Sequence, residues 1–519
     1  MLTAKNVKKH DSLIVRYTEK IPFITLEGWG STRDPRARCP HGWRCAEEGR
    51  PMGMSMIGKG MTRRGQMAAI VSAGAGLLAI ACGGAETPAA AATVKPPAAP
   101  EPTKAPAPAA ATVPAAKSKM TVWITTSFTP DADKVQNDYV MEWAKSKNVD
   151  VTIVQDTGTV LATQLNGALE SKALPDVLWG GNAEWAPRLN LLDLTLDVSD
   201  ILAKMNAQGG GLLPPALRAV QKEGKAFWVP TYSATEVFYV RKDLLDAKGL
   251  KVPETWEDVY SVAKAVTEKG KVWGYGQQLG TPSYDAEISL LTMLASYGAS
   301  PYAADSKTPN LNKPGTRKVL EMINQAWLDG SIPPDAVTWD DSGNNKAYLT
   351  RSAAMIYNTG SVVNAMRKDD QELLKNTVVT RIPKGSEGSV LVGYIYGLIG
   401  LKTSKVPDLA KDLISFMVAV ERQQKIVEAA GTNYMPLYKD LAKMPMWQDP
   451  INQTLMSELA DNNAVGYPGP TTMWSLEAWK THTVTEMVNK VIVEKKSADA
   501  AITETEAKLL KIYDQFNKK

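Results

Sequence analysis

Cysteine and histidine are scarce in this 519-residue chain, and their distribution excludes several classes of chemistry. The three cysteines are Cys39, Cys45 and Cys82, so the chain beyond residue 82 has neither a disulfide nor a thiol nucleophile. Beyond residue 41 the sequence holds one histidine, His482, which argues against histidine-based catalysis and histidine-rich metal sites there. We therefore expect no metal site and no cofactor.

Common catalytic motifs are missing from the sequence as well. There is no G-x-x-x-x-G-K-[ST] phosphate loop, no H-E-x-x-H and no G-x-S-x-G. Asp131 and Asp133 begin like a calcium loop, but Gln136 stands where that loop requires glycine.

The positive charge is concentrated in residues 1–81, and the remainder is close to neutral. A nucleic-acid-binding domain needs a basic face, so we expect no nucleic-acid partner.

Long hydrophobic runs are absent apart from one near residue 70. After Arg63 and Arg64, residues 67–81 form an uncharged, mostly apolar run that is too short to span a membrane but suits a signal-peptide core. The run ends in AIAC, which resembles a bacterial lipobox with Cys82 as the lipid-bearing first residue of the mature protein. Ala79 departs from the more usual Leu, and an ordinary signal peptide with an incidental cysteine is the alternative.

The same interpretation assigns a role to the segments on either side of this run. Because a signal peptide (61–81) belongs at an N-terminus, residues 1–60 are interpreted as a non-native upstream extension. Residues 82–118 are rich in Ala and Pro, which is typical of an extended, semi-stiff tether. A lipid on Cys82 followed by this tether would hold a folded body at the outer face of the cell membrane, or in the periplasm.

The folded body begins near residue 119 with strands that alternate with helices. The pattern predicts strands at 120–125, 149–155 and 174–179, separated by helices at 131–147 and 159–172. Such alternation indicates an α/β fold with a parallel sheet, whose ligands bind at the carboxyl ends of the strands. The loops after Ile124 and Trp179 are therefore the first places to expect a site.

A composite pattern further along the chain is more specific than any single motif. Its parts, in order, are GKAFWVP (224–230), FYVRKDLLDAKGL (238–250), PETWEDV (253–259), RSAAMIYNTG (351–360), GYIYGLIG (393–400) and AAGTNYMP (429–436). Over residues 119–515 this resembles the extracellular solute-binding proteins of ABC importers, the family that includes maltose-binding protein. Arg241 stands where that family commonly has Asn.

The resemblance implies a fold and a function. The fold would be the type II periplasmic-binding-protein fold, with two α/β lobes joined by hinge strands and the ligand cleft between them. The N-lobe would comprise 119–231 and 398–463, and the C-lobe 235–394 and 467–515. The protein would be a monomeric lipoprotein, not an enzyme, that captures a sugar or oligosaccharide and delivers it to the transmembrane subunits of an ABC permease.

Candidate ligand-binding residues follow from the resemblance together with the chemistry of sugars, whose apolar ring faces stack on aromatic side chains. We expect Trp474, placed after the rigid turn 466–470, to be a stacking platform in the cleft. A core position is the alternative for each aromatic residue, and helix capping is the alternative for Asp285. The predicted set is Ser127, Asn182, Trp185, Tyr232, Glu236, Tyr284, Asp285, Asn358, Tyr394 and Trp474.

Three other functions stay open on the sequence alone. A secreted carbohydrate-active enzyme would use a pair of carboxylates, and the body has many acidic residues. A binding protein for a non-sugar polar solute would share the same fold. A purely structural surface protein would show no ligand-dependent stabilisation.

Overall fold

Strands and helices alternate at the start of the folded body, as the sequence predicts. The computed structural model describes residues 117–127, 129–180, 185–222 and 224–517, which belong to one compact unit. Its strands are β1 Lys119–Thr125, β2 Asp150–Asp156, β3 Val177–Trp179, β4 Gln221–Lys222, β5 Lys225–Ala226, β6 Val229–Ala234, β7 Glu236–Arg241, β8 Trp273–Tyr275, β9 Ala353–Thr359, β10 Thr377–Thr380, β11 Leu391–Val392, β12 Tyr394–Gly400, β13 Met435–Pro436 and β14 Asn462–Asn463.

Helices cover both sheets. They are α1 Pro130–Lys147, α2 Gly158–Ser171, α3 Trp185–Leu191, α4 Ser199–Asn206, α5 Pro214–Val220, α6 Lys242–Asp246, α7 Trp256–Val266, α8 Tyr284–Ser296, α9 Pro314–Asp329, α10 Gly343–Leu349, α11 Ser361–Asp369, α12 Gln371–Lys375, α13 Pro407–Met417, α14 Val420–Ala430, α15 Pro450–Leu459, α16 Met473–Lys480, α17 Thr483–Ile492 and α18 Ala498–Asn517. Short 3₁₀ helices span Ala336–Thr338, Gly431–Asn433, Leu441–Lys443 and Pro445–Gln448.

The first sheet has the strand order β13-β6-β12-β3-β1-β2 and, with its helices, forms what we call lobe 1. Strands β2, β1 and β3 run parallel, as expected for successive βα units. Strand β12 is antiparallel to both β3 and β6, so the sheet is mixed rather than parallel throughout. The reason is that β12 enters this sheet from the other lobe and not through a βα crossover.

The second sheet, with the order β10-β7-β9-β8, forms lobe 2 with its own helices. The chain passes from the first sheet to the second at Thr235, between β6 and β7, and returns at Gly393, just before β12. It leaves lobe 1 again after β14, which pairs in parallel with β11 beside the return crossing. Helix α15 packs against β7 and β10 of the second sheet and β13 of the first.

Two apolar cores meet at the second sheet. Because side chains alternate between the two faces of a strand, β7 contributes Val237 and Tyr239 to one apolar cluster and Phe238 and Val240 to the other. The first cluster includes α10 and α11 beside this sheet and continues into lobe 1, and the second lies within lobe 2. All four side chains are buried. This alternation explains why β7 has no polar face in the sequence: its polar residues are Glu236 at the start, next to the crossing at Thr235, and Arg241 at the end.

Candidate functional site

A cavity of about 140 Å³ lies where the ends of the two sheets face each other. It is bounded by the loop after β1, the first turn of α2, the N-terminus of α8 and the ends of β6, β9 and β12. Its lining is mostly hydroxyl, amide and tyrosine side chains. The described lining residues are Thr125, Thr126, Ser127, Thr157, Gly158, Thr159, Tyr232, Ala234, Tyr284, Asp285, Asp341, Ser342, Asn345, Asn358, Thr359, Ser361, Tyr396, Asn433 and Tyr434.

Three tyrosines from neighbouring strands form one wall of this cleft. The ring of Tyr232 on β6 stacks on Tyr434, with centroids 3.4 Å apart, and on Tyr396 of β12, with centroids 5.1 Å apart. The β6–β12 register places Tyr232 directly opposite Tyr396. Burial raises the pKa of Tyr232 well above its usual range, so this hydroxyl is neutral at physiological pH. Tyr232 and Tyr434 are each 3% exposed and Tyr396 is partly exposed, so the wall offers the cleft a small aromatic surface whose hydroxyls burial keeps neutral.

Polar side chains of the cleft are held by hydrogen bonds that connect the two lobes. Asn433 donates from Nδ2 to the carbonyl oxygen of Ser127 at 2.6 Å, which fixes the loop after β1. Across the lobe boundary, Thr359 at the end of β9 donates from Oγ1 to Oδ1 of Asn433 at 3.2 Å. The Asn358 amide donates to the side-chain oxygens of Asn344 and Asn345, so its nitrogen is committed within lobe 2.

Two aspartates lie together at the N-terminus of α8. Asp341 accepts hydrogen bonds through Oδ1 from the Ser283 hydroxyl at 2.8 Å and from the backbone N–H of Asp285 at 3.1 Å. Burial raises the pKa of both carboxyls, and the charge of Asp341 raises that of Asp285 further. Ser283, not Asp285, caps α8 by accepting from the backbone of Ala286. The Asp285 carboxyl is thus available to the cleft.

A third carboxyl, Glu236, is buried at the first position of β7. Its side chain is 1% exposed, and within the described part of the chain neither carboxylate oxygen has a hydrogen-bond partner. Burial raises its pKa from the ordinary 4.5 to about 8, an effect that the nearby Tyr357 hydroxyl offsets only in part. Glu236 lies opposite Thr359 in the β7–β9 pair, so both point to the same face of the sheet.

The structure brings together half of the predicted site residues and places others nearby. Ser127, Tyr232, Tyr284, Asp285 and Asn358 line the cleft. Glu236 is buried behind it, and the backbone of Tyr394 pairs with Ala234, which also lines the cleft. Asn182 and Cys82 lie outside the described residues, as does most of the leader and tether.

The predicted position of Trp474 is wrong, because its side chain belongs to the core of lobe 2. The indole is 1% exposed, and its Nε1 donates to the Ser306 carbonyl oxygen at 2.8 Å. Its ring makes edge contacts with Tyr302 and Tyr513, with centroids 4.9 Å and 5.6 Å away. Capping by Thr472 starts α16 one residue before Trp474, and this turns the indole inward. A first-turn position therefore does not by itself expose an aromatic residue to the cleft.

Trp185 and Trp179 are also core residues. Trp185, at the start of α3, is fully buried in the core of lobe 1, which corrects its assignment to the ligand-binding set. Trp179 is 1% exposed, and its Nε1 donates to Oγ1 of Thr231 at 3.3 Å. Thr231 in turn donates to the carbonyl oxygen of Tyr396 at 3.1 Å. Trp179 thus supports the strands that carry the tyrosine wall.

Sequence reasoning did not select Tyr396, Tyr434 or Asp341. The first two lie within quoted segments of the composite pattern, GYIYGLIG and AAGTNYMP, so the signal was present. Asp341 follows Trp339 and Asp340 in a stretch without a recognisable motif. Its role depends on the contact with Ser283 and Asp285, 56 residues away in the chain, which no local pattern reveals.

The described residues lack two further features. No group of three or more His, Cys, Asp or Glu side chains in that part of the chain is arranged to hold a metal ion. Among the same residues, no helix has the length and apolar character needed to cross a membrane.

Solved structures share this architecture. A solute-binding protein of an ABC transporter from Thermotoga lettingae TMO, bound with α-D-tagatose, is 18% identical and covers 76% of this chain and 100% of its own, with a TM-score of 0.67. A sugar transporter from Arthrobacter chlorophenolicus A6, with bound laminaribiose, is 17% identical and covers 77% and 100%, also with a TM-score of 0.67. These likenesses confirm the two-lobe α/β fold of the periplasmic binding proteins.

Sequence comparisons give the family. A curated protein of Brucella abortus (strain 2308), described as a binding protein, is 22% identical over 225 residues, which are 43% of this chain and 53% of that protein. The chain thus spans about half the length of the curated relatives it matches. Residues 124–424, more than half of the chain, match the bacterial extracellular solute-binding proteins. The protein belongs to that family.

Proposed function

We propose that this protein captures a carbohydrate in the cleft between its lobes and delivers it to the transmembrane subunits of an ABC permease. The observation that carries the proposal is the wall formed by Tyr232, Tyr396 and Tyr434 beside a rim of hydroxyl and amide side chains. Aromatic faces suit the apolar face of a sugar ring, and the polar rim suits its hydroxyl groups. Two of the similar structures carry bound sugars.

The cavity size favours a small carbohydrate. At about 140 Å³ it is smaller than pockets for drug-sized ligands, which measure roughly 300–1,000 Å³. We infer that a monosaccharide or a single sugar unit of a longer chain fills it, with the lobes closing around the ligand at Thr235 and Gly393. Small-angle scattering with and without saturating sugar tests the closure, because an unchanged radius of gyration would count against it.

A thermal-shift screen of the full chain against neutral and charged sugars tests the function. Binding to the folded state alone raises the melting temperature by an amount that grows with concentration. A sugar that stabilises the protein and is recovered unchanged supports capture and transport. Absence of stabilisation by every sugar would contradict the proposal.

A carbohydrate-active enzyme is the second candidate, favoured by the adjacency of Asp285 and Asp341. Glycosidases use two carboxyl groups, one of them with a raised pKa. Incubation with glycans separates the two functions, because an enzyme releases products in excess of its own amount. The family consists of binding proteins, which favours capture without turnover. A non-sugar polar solute would instead appear in the same screen as selective stabilisation by non-carbohydrates.

We further propose that Cys82 carries the lipid that holds a monomeric protein at the outer face of the membrane. The support is the sequence around Cys82: a basic pair, an apolar run and small residues before the cysteine. Cys82→Ala should release the protein into the soluble fraction. Mature chains that begin upstream of residue 61 would contradict this proposal, and a scattering mass of twice the chain would contradict the monomer.

A further inference from the structure

The charged side chains among the described residues that line the cleft are all acidic. Asp285 and Asp341 line it, and none of the described lining residues is Lys, Arg or His. Neither aspartate, nor Glu236 behind them, forms a salt bridge with a described residue, although 25 ion pairs occur elsewhere in that part of the chain. The carboxylates therefore lack a cationic partner among these residues.

Glu236 gives an independent indication of a missing partner. A buried carboxylate without hydrogen bonds is costly, and proteins normally pair such a group or keep it protonated. Neither oxygen of Glu236 has a partner at full hydrogen-bonding geometry in the described structure, although its own backbone and the Tyr357 hydroxyl offset part of the rise in its pKa. Glu236 lies opposite Thr359 of the cleft lining in the β7–β9 pair, which places this buried residue next to the cleft.

Tyr396 connects the acidic groups with the tyrosine wall. Asp285 and Asp341 line the same cavity as Tyr396, and the pKa of the Tyr396 hydroxyl is raised by burial and further by the charges of Glu236 and both aspartates. Tyrosine faces attract cations through their quadrupole. An ammonium group offers three N–H donors to carboxylates, which matches this surface better than a neutral hydroxyl does.

We propose that the captured solute is an amino sugar, whose protonated amine binds Asp285 and Asp341 while its ring lies against Tyr396. This inference rests on the proposed function and narrows its substrate class. Glu236 does not contact the solute in this account: it is buried behind the cleft, and its pKa of about 8 keeps it mostly protonated at pH 7 in the ligand-free protein.

The test is calorimetric titration of the full chain with matched sugars at pH 7. The probes are glucosamine, galactosamine and the disaccharide of glucosamine. Their neutral counterparts are glucose, galactose, cellobiose and N-acetylglucosamine, and putrescine represents an amine without a ring. We expect at least one amino sugar to bind about 10-fold or more tightly than its neutral counterpart.

Variants assign the effect to the cleft. Asp285→Asn and Asp341→Asn should each remove most of the preference for the amine, because the side-chain shape is kept and the charge is lost. Asp340→Asn is the matched control: this exposed neighbour does not line the cleft, and its variant should retain the preference. Melting temperatures verify that each variant is folded.

The outcomes separate the two proposals. Equal or tighter binding of the neutral counterparts overturns the amino-sugar inference and leaves carbohydrate capture intact. Binding of putrescine in preference to every sugar overturns the inference and the carbohydrate class together. Binding of neither sugars nor amines contradicts the proposed function itself. An amine preference that Asp285→Asn and Asp341→Asn both retain overturns the assignment to these carboxylates.

Discussion

Gly360 and Thr432 face each other across the boundary between the lobes, and the Thr432 hydroxyl donates to the carbonyl oxygen of Gly360 at 2.8 Å. The two backbones approach so closely that a Cβ at Gly360 would overlap the carbonyl oxygen of Thr432. Gly360 has an ordinary helical φ of −65°, so the glycine is needed for this approach and not for its backbone conformation. The contact lies next to Thr359 and Asn433 of the cleft lining and sets how closely the lobes meet there.

We predict that Gly360→Ala holds the lobes apart. The added methyl group must displace backbone atoms, so with saturating sugar the radius of gyration should stay above that of the wild type, and ligand affinity should fall by about 10-fold or more. Small-angle scattering and calorimetry measure the two effects. Gly167→Ala is the control: it lies in α2 with no atom within 4 Å of an added Cβ, and should be neutral or stabilising by about 0.5–1 kcal/mol. A compact, tightly binding Gly360→Ala protein would refute this account of closure.

Trp474→Ala should destabilise the protein and leave binding intact. The indole packs in the core of lobe 2 and makes one hydrogen bond to Ser306, so its removal should cost about 3–5 kcal/mol of unfolding free energy. Chemical denaturation measures the loss. At a temperature where the variant is folded, its affinity should equal that of the wild type. Weakened binding without loss of stability would show instead that Trp474 contacts the ligand in the cleft.

Glu236 should make the ligand-free protein less stable as pH rises. Burial raises its pKa from 4.5 to about 8, so between these values the folded state holds a proton that the unfolded chain has released. The free energy of unfolding therefore decreases with pH across this window, by about 1–3 kcal/mol between pH 5 and 8. Asp285 and Asp341, whose pKa values are also raised by burial, contribute to the same trend, whereas the neighbouring hydroxyls of Tyr357 and Tyr396 stay protonated throughout this window.

Glu236→Gln mimics the protonated acid and should flatten this dependence. Denaturation curves at pH 5 and pH 8 give the slope for each variant. Glu372→Gln, whose side chain is 83% exposed, is the matched control and should behave as the wild type. An unchanged slope in Glu236→Gln would show that Glu236 is ionised and stabilised in the folded protein.

The fold was predictable because its signals are local. The βα alternation around β1 and β2 follows from residue spacing, and the composite pattern identifies the strands near both lobe crossings. Tyr232 and Asp285 were found because they lie next to recognisable elements, a lobe crossing and a helix start.

The assembly of the cleft was less predictable because it depends on register and packing. Tyr396 meets Tyr232 through the pairing of two strands that are more than 160 residues apart in sequence. For Trp474 the sequence predicted a place in the cleft that the structure does not give it. The start of a helix does not determine which face of its first turn is buried. For Glu236 the sequence predicted one property and missed another. It indicated that Glu236 lies at a lobe crossing, but not that its carboxyl is buried without a hydrogen-bond partner.

The most direct test of the account is calorimetric titration of the wild type, Tyr396→Ala and Trp474→Ala with the sugar that stabilises the protein most. If the tyrosine wall binds the ring, the wild type binds one sugar per chain, and Tyr396→Ala loses about 2 kcal/mol or roughly 30-fold in affinity. Trp474→Ala binds as the wild type does while melting earlier. Equal affinity in the wild type and Tyr396→Ala would contradict the claim that this cleft captures the solute.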